Sequence, residues 1–255
     1  MTQRQSQILH TVASERRIEV GRLAEILGVS QVTIRKDLDV LEKQSLIKRQ
    51  HGVAVLNAEL DINNRLAIHY EQKHSIVTRA VTLINDGDVI MIESGSCCAL
   101  LAEQIAQKRR NVTIITCSVH IANRLRQAES IQVLLLGGTV LMEPMVTVGP
   151  LTMQALDNFY VDKLFTGTDG ITPNGAFTGK DIRQSEVIRK MAQHSKKTIV
   201  MTDSSKFRRQ GTVILFPPED VYAVYTDSAC DPEIVQMFRE HGVIVNMDDE
   251  NATEQ

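Results

Sequence analysis

Tryptophan is absent and all aromatics together make up 4% of the 255 residues, yet 43% are hydrophobic and 23% charged. That is the composition of a globular chain of one or two domains, and it excludes disorder as the main state. Long apolar runs are missing too. Ile131 to Leu136, broken only by Gln132, and Val243 to Val245 are strand-length, against the roughly 20 residues of a membrane helix. Met1 to Leu9 is polar and holds no apolar segment followed by a small-residue cleavage site, so a cytoplasmic address is expected rather than secretion. The four cysteines, at 97, 98, 117 and 230, include no C-x-x-C pair. Adjacent residues rarely bridge, so reduced thiols are expected rather than a disulfide framework or a metal site.

An excess of either charge is also lacking overall, at net −3, but charge is divided unevenly along the chain. Residues 1 to 56 carry nine Lys or Arg (Arg4, Arg16, Arg17, Arg22, Arg35, Lys36, Lys43, Lys48, Arg49) against six acids, and the rest is net −6. A small basic segment on an acidic body suits a nucleic-acid-binding module joined to a part that does not bind DNA.

Within the basic segment three helical stripes succeed one another: Ile8, Leu9 and Val12; Leu23, Ile26 and Leu27; and Ile34, Leu38 and Leu41. Gly28 suits the left-handed position past a helix end, and Ser30 suits the N-cap of the next helix. A helix, a Gly-containing turn and a capped second helix outline a helix-turn-helix. With Ile34, Leu38 and Leu41 inward at about 100° per residue, Lys36 points away from the core, flanked by Val32 and Thr33, with Arg35 at the edge. Arg or Lys can donate to guanine, the Val and Thr methyls can meet a thymine methyl, and Gln31 can pair with adenine. A solvated helix face is the plainer account of a charge pair alone. Leu46 to Arg49 and Val53 to Val55 then read as a hairpin around His51-Gly52, whose Lys48 and Arg49 can reach phosphate. The sum is a winged helix-turn-helix, with Ser30, Gln31, Val32, Thr33, Arg35, Lys36, Lys48 and Arg49 as candidate DNA contacts.

The run from Val20 to Glu42, centred on Thr33-Ile-Arg-Lys-Asp-Leu38, resembles the signature of the DeoR family of bacterial sugar-catabolism repressors. The family's hairpin usually carries Arg-Thr-x-Gly-Gly, and this chain has Arg49-Gln-His-Gly-Val53 in its place.

Asn57 to Asn64 is polar and aperiodic, the expected linker, and a helical pattern runs on through Tyr70, Val77, Ala80, Val81 and Ile84. The expected division is therefore 1–56 for the winged helix, 57–75 for the linker and the start of a connecting helix, and 76–255 for an α/β domain. Strands are expected at Asp88 to Glu93, Val112 to Thr116, Gln132 to Gly137, Lys163 to Thr168, Thr198 to Thr202, Val221 to Thr226 and Val243 to Met247. Helices are expected between most of them, including Ala99 to Ala106, His120 to Arg126, Ile182 to Gln193 and Pro232 to His241. Continuously apolar strands alternating with helices imply a mainly parallel sheet covered on both faces. The acidic end, from Asp248 to Gln255, is expected to fray.

Open α/β sheets bind ligands outside the carboxyl ends of their strands. The expected strands here lead out into Glu93-Ser-Gly-Ser-Cys97, Thr116-Cys-Ser118, Gly137-Gly138, Gly167-Thr-Asp-Gly170 and Asp203-Ser-Ser-Lys206. Ser94-Gly95-Ser96 opens a helix, so it can cradle an anion, although a Gly-Ser turn is often only a turn. Lys206 can supply a second anion ligand or be solvated. Asp169 can accept sugar hydroxyls or cap a turn with Gly170. Glu186, between Arg183 and Lys190, reads most simply as an exposed helix residue with i, i+4 support. Cys97 and Cys98 at a helix start allow a redox-sensing reading, against the simpler one of small buried residues.

The same segments resemble the family's effector domain, which is similar in fold to sugar-phosphate isomerases. Glu93-Ser-Gly-Ser-Cys97 stands where the family has Asp-Ser-Gly-Thr-Thr, Thr116-Cys-Ser118 where it has Thr-Asn-Ser, and Arg208 where Gly is usual. The resemblance implies a pocket for a phosphorylated metabolite lined by Gly95, Ser96, Asp169, Glu186 and Lys206; the strand ends add Ser94, Cys97, Thr116, Ser118 and Gly138. Two functions remain open. One is a repressor of a carbohydrate-catabolism operon that binds double-stranded operator DNA as a homodimer or homotetramer, is controlled by a phosphorylated sugar or sugar-derived metabolite, and needs no membrane, metal, cofactor or catalytic residue. The other is a sugar-phosphate isomerase-like enzyme with an accessory DNA-binding domain, using Asp169, Glu186 and Lys206 as acid, base and enediolate stabiliser. The recognition helix favours the first, because an isomerase has no need of it.

Overall fold

The computed structural model describes residues 2–15, 17–43, 46–50, 52–56 and 61–248. They form two compact units, Met1–Glu71 and Gln72–Gln255. The first contains α1 (Gln3–Glu15), β1 (Arg17–Glu19), α2 (Val20–Leu27), α3 (Gln31–Lys43), β2 (Ile47–Gln50), β3 (Val53–Leu56) and α4 (Asp61–Ala67). Ile8, Leu9 and Val12 of α1, Leu23 and Ala24 of α2, and Ile34, Leu38 and Leu41 of α3 are all buried. Gly28 ends α2 at φ +63, where a side chain would be strained. Ser30 Oγ then accepts the Thr33 N–H at 3.2 Å and caps α3. Ile26, which the helical pattern places inward, is 48% exposed; α2 is short and buries Val20, Leu23 and Ala24 instead.

The hairpin β2–β3 takes up β1 as a third antiparallel strand, in the order β1-β3-β2. His51, between β2 and β3 in the sequence, lies outside the described residues. Of the stretch 57–75, expected as linker and helix start, residues 57–60 lie outside the described residues, whereas 61–67 form α4 rather than linker. Ile62, Leu66 and Ala67 are buried, and His69 at φ +54 breaks the expected continuous helix before α5 (Tyr70–Ala80).

After α5 come β4 (Val89–Ile92), α6 (Ser96–Lys108), β5 (Val112–Thr116), α7 (Val119–Arg124), β6 (Ile131–Leu135), β7 (Thr139–Leu141), β8 (Val146–Val148) and α8 (Pro150–Leu156). β9 (Val161–Thr166), β10 (Gly170–Ile171), β11 (Phe177–Gly179), α9 (Ile182–Gln193), β12 (Ser195–Met201), β13 (Val213–Phe216), β14 (Ala223–Tyr225), α10 (Pro232–Glu240) and β15 (Ile244–Asn246) complete the described chain. The seven strands expected from the apolar runs join one sheet, β15-β14-β12-β9-β4-β5-β6, parallel throughout. Ile90, Met91 and Ile92 of β4 are all fully buried. Consecutive strand residues face opposite ways, so both faces of the sheet are covered. Under one part of it Phe177 stacks on Phe238, with Phe207 edge-on to Phe238. The acidic end beyond Asp248 lies outside the described residues.

The order of this sheet positions the candidate site. Its first strand, β4, sits inside: β5 and β6 extend to one side, and β9, β12, β14 and β15 to the other. The connections therefore part between β4 and β9, which is the topological switch point where open α/β sheets hold ligands.

Close to that end, on α7, His120 is buried and its Nε2 has no hydrogen-bond partner among the described residues. Burial, helped by the nearby Arg124 charge, pushes its pKa down to about 4 from 6.5. The unfolded chain then takes up a proton that the folded chain refuses, so this contribution to stability is present above pH 6.5 and is lost as pH falls towards about 4. Urea unfolding at about pH 7 and about pH 4.5 is expected to show His120→Gln losing less stability than the wild type over this window, by up to about 3 kcal/mol. Equal losses contradict a buried neutral imidazole.

Candidate functional site

Two regions gather the sequence-derived candidates. On α3, Gln31, Val32, Arg35 and Lys36 are exposed and Thr33 is half-buried, so the first turn and a half carries an amide, two methyl-bearing side chains and two cations. The helix is held from behind by Asp37, which is buried and accepts from Arg4 Nε at 2.5 Å and Gln5 Nε2 at 3.0 Å of α1. Sequence reasoning misses Asp37, because an acid after Arg35-Lys36 looks solvated and its partners lie over 30 residues upstream. Losing this charge-assisted pairing would cost roughly 1 to 3 kcal/mol.

Lys48 of the wing is half-buried. Arg49 turns back onto α3: its backbone N–H and its Nε each lie 2.9 Å from Glu42, and a terminal guanidinium nitrogen lies 2.5 Å from Asp39. The Arg49 N–H holds the Glu42 carboxyl below its usual range, with the guanidinium adding to the effect. Unlike the expected free phosphate ligand, Arg49 already has two carboxylates as partners.

The second region lies at the switch point. The Glu93 N–H bonds Phe165 O at 2.9 Å, extending the β4–β9 pairing by one residue. The Glu93 side chain is 3% exposed. Its Oε1 accepts from Ser94 Oγ at 2.6 Å and Gln184 Nε2 at 2.9 Å, and its Oε2 accepts the Gly95 N–H at 2.9 Å. A buried carboxylate thus ties β4, the start of α6 and α9 together. It also occupies one of the backbone donors that the Ser94-Gly95-Ser96 turn would offer an anion. Gly95 lies close to Gly167 across the switch point, a Cβ added to it falling 3.8 Å from the Gly167 Cα.

Around this staple Thr116 and Ser118 are buried at the end of β5. Thr116 Oγ1 accepts the Ser118 N–H, and Ser118 Oγ caps α7 through Ile121 N. Gly138 has φ +148, and a Cβ there would sit 2.0 Å from Thr152 Oγ1 and 2.7 Å from Val148 O. Close packing by itself therefore requires glycine at 138. Asp169 is half-buried, and the turn to Gly170 is capped by Thr168 Oγ1 rather than by Asp169. Lys206 is half-buried on a short 3-10 turn, Ser204–Arg208. With about 5 Å per strand, the exits of β4, β9 and β12 fall within about 10 Å of one another, which gathers Glu93, Gly95, Asp169 and the Lys206 turn at one end.

Glu186 is exposed on α9, about 200° round the helix from Gln184. Its expected i, i+4 support is absent from the described contacts, since Arg183 pairs with Asp181 and Lys190 with Asp157. Gln184 is the α9 residue that reaches the switch point, also touching Ser94 Oγ at 2.9 Å. Its only sequence signal was being two positions from Glu186. Cys97, Cys98 and Cys117 are all buried. Burial, with the Glu93 charge adding to it, raises the Cys98 and Cys117 thiols far above the range of a reactive thiolate, and burial pushes Cys230 up to about 11. Burial of these thiols favours the reading of small buried residues over that of redox sensing.

Two family models match this chain: a DeoR-like helix-turn-helix domain over residues 4–59, and a DeoR C-terminal sensor domain over residues 68–228. The chain belongs to the DeoR family. It is 28% identical over 250 residues to a putative aga operon transcriptional repressor of Escherichia coli O157:H7, covering 96% of this chain and 93% of that one. Similarity to the glycerol-3-phosphate regulon repressor of Escherichia coli K12 is 28% over 245 residues, 95% and 97% of the two chains. The transcriptional repressor AccR of Agrobacterium fabrum is 30% identical over 230 residues, 88% and 89%. Among solved structures, a ribose 5-phosphate isomerase from Methanocaldococcus jannaschii is 20% identical, over 54% of each chain, with a TM-score of 0.41. These relatives by sequence are regulators, so this DeoR-family chain is a DNA-binding transcriptional regulator and the isomerase alternative falls. Among the described residues, no helix is long and apolar enough to cross a membrane.

With all four cysteines buried, the native protein is expected to leave a disulfide reagent such as Ellman's unconsumed, and to release four equivalents only on unfolding. Rapid reaction of one thiol in the native state would restore the redox reading.

Proposed function

We propose that this DeoR-family regulator represses a carbohydrate-catabolism operon and that a phosphorylated sugar or sugar-derived acid, bound at the β4–β9 switch point, changes its operator affinity. The observation that carries the reading is the switch point itself: the exits of β4, β9 and β12, with their hydroxyls, carboxylates and the Lys206 turn, lie at the end of the sheet where such folds take ligands. A relative named for glycerol 3-phosphate, the Escherichia coli regulon repressor, fits this ligand class. Of the candidates, Ser94, Gly95, Ser96, Asp169 and Lys206 are assigned to the ligand, with Cys97, Thr116, Ser118 and Gly138 shaping the wall and Glu186 at the rim.

On the DNA side, Ser30, Gln31, Val32, Thr33, Arg35 and Lys36 are assigned to the major groove and Lys48 to phosphate. Arg49 holds the wing against Asp39 and Glu42. A single winged helix makes few base contacts, so a homodimer or homotetramer reading paired half-sites supplies the specificity. A coupling of about 1 to 3 kcal/mol between ligand and operator suffices for a 5- to 150-fold change in affinity. A cytoplasmic location is part of the same proposal.

Fluorescence anisotropy with DNA upstream of the protein's own gene, at two salt concentrations and with a panel of sugar phosphates, tests the reading. Selective, salt-sensitive binding that one compound alters supports it; sequence-independent binding that no compound alters overturns it. In the same assay Lys36→Ala is expected to cost about 1 to 3 kcal/mol and relax base selectivity. Lys48→Gln is expected to reduce the slope of log K against log salt by about 0.9. Arg49→Gln is expected to weaken binding with the slope unchanged, because its charge is already paired; a slope lowered like that of Lys48→Gln would make Arg49 a phosphate contact.

A further inference from the structure

The turn that carries Lys206 is held from the neighbouring strand. Asp227, buried just after β14, accepts the Ser204 N–H at 2.7 Å with Oδ2, and Ser204 Oγ at 2.8 Å and the Ala229 N–H at 3.1 Å with Oδ1. Three donors leave the carboxylate little freedom, so the Ser204 turn and the exit of β14 move together or not at all.

The adjacent residue, Thr226, looks the other way along the sheet. Its N–H bonds Asn246 O at 3.0 Å at the end of β15, and its carbonyl accepts from an Arg79 guanidinium nitrogen at 2.7 Å. Arg79 stands in the last turn of α5. Its other terminal nitrogen bonds Asn246 Oδ1, its Nε lies 2.9 Å from Asp248 Oδ1, and its guanidinium carbon lies 6.0 Å from the Tyr225 ring centroid. The Asp248 contact is an ion pair without hydrogen-bond geometry, since Nε counts as unpartnered. One turn earlier, Ser75 also bonds Asp248. α5 is therefore fastened at two successive turns to the carboxyl ends of β14 and β15, and its first two residues, Tyr70 and Glu71, are the last of the N-terminal unit.

We propose that Asp227 and Arg79 are positioning residues that form a relay from the Lys206 turn to α5, so that a phosphorylated ligand engaging Lys206 shifts the helix that continues from the DNA-binding unit. The relay deepens the reading under Proposed function and rests on it for the identity of the ligand. Its working part is the Thr226–Asp227 step, where one residue grips the ligand-side turn and its neighbour grips α5. The joint also carries an unspent group: Thr226 Oγ1 is fully buried and has no hydrogen-bond partner among the described residues. A buried hydroxyl left unpaired disfavours the arrangement that leaves it so. Such a joint has reason to occupy two arrangements, which is what coupling between sites requires.

Hydrogen exchange on the full-length protein reads the relay without DNA or ligand. Asp227→Asn, with Ser204→Ala as the milder variant in case Asp227→Asn fails to fold, is expected to speed exchange in residues 204–208 and also in residues 75–80 of α5. Acceleration confined to 204–208 overturns the relay. The second arm uses operator DNA and the sugar-phosphate panel. Arg79→Lys, which keeps the ion pair with Asp248 but loses the planar fork, is expected to bind operator and still be stabilised against heating by the panel compound. It is expected to lose most of that compound's effect on operator affinity. A wild-type response in Arg79→Lys overturns the relay, and so does loss of stabilisation by the compound together with the response, since that places Arg79 in the ligand site. If no panel compound changes wild-type operator binding, the ligand reading fails while the exchange arm still decides the joint.

Discussion

A parallel sheet whose first strand lies in its interior sends its connections in opposite directions on the two sides of that strand. Here the strand is β4, and everything of functional interest in the larger unit depends on where its chain leaves the sheet. The connection to β5 goes one way and β9 arrives on the other side, so the backbone opens at Glu93 and again at Gly167. Glu93 then decides the use of that opening. Its buried carboxylate takes the Gly95 amide and the Ser94 and Gln184 side chains as partners, which fixes the start of α6 against α9. A carboxylate there also gives the β4 exit acceptor character, while the turn that carries Lys206 follows β12, two strands away.

The DNA-binding unit is organised by acids on its recognition helix, although its net charge is positive. Asp37 faces inward to Arg4 and Gln5, and Asp39 and Glu42 face the wing and hold Arg49. The cations of α3, apart from Lys43 at its end, sit at its N-terminal end, where helix-turn-helix proteins touch bases. The acids on its later turns fix the scaffold around them. A count of basic residues therefore overstates how much positive charge is available to phosphate.

The parts of the fold legible in the sequence were those with a long enough pattern. Seven apolar runs became the seven parallel strands, and the capped turn at Gly28 and Ser30 formed as its residues imply. Short elements escaped: β1 has one inward apolar residue, Ile18, and the hairpins β7–β8 and β10–β11 use strands of two or three residues, too few to show a period. α4 was hidden in a polar stretch because it buries only a few apolar positions. In the site, strand ends identified the segments but not the contacts within them. Glu93 could be located, yet nothing in the sequence shows that Gln184, some ninety residues later, meets it, and Arg49 reads as a free cation until Asp39 and Glu42 are brought beside it.

In the proposed function, linkage between the switch point and operator binding is what joins the parallel sheet and the winged helix into one regulator. Such linkage is reciprocal: a ligand that changes operator affinity by some factor must find its own affinity changed by the same factor when operator is bound. The most direct measurement is the ligand's dissociation constant by calorimetry, for the free protein and for the protein saturated with operator. Two different constants are expected, their ratio equal to the ratio of operator affinities measured with and without ligand. Equal constants in the two titrations would contradict the linkage, since the switch point would then hold its ligand without any bearing on DNA.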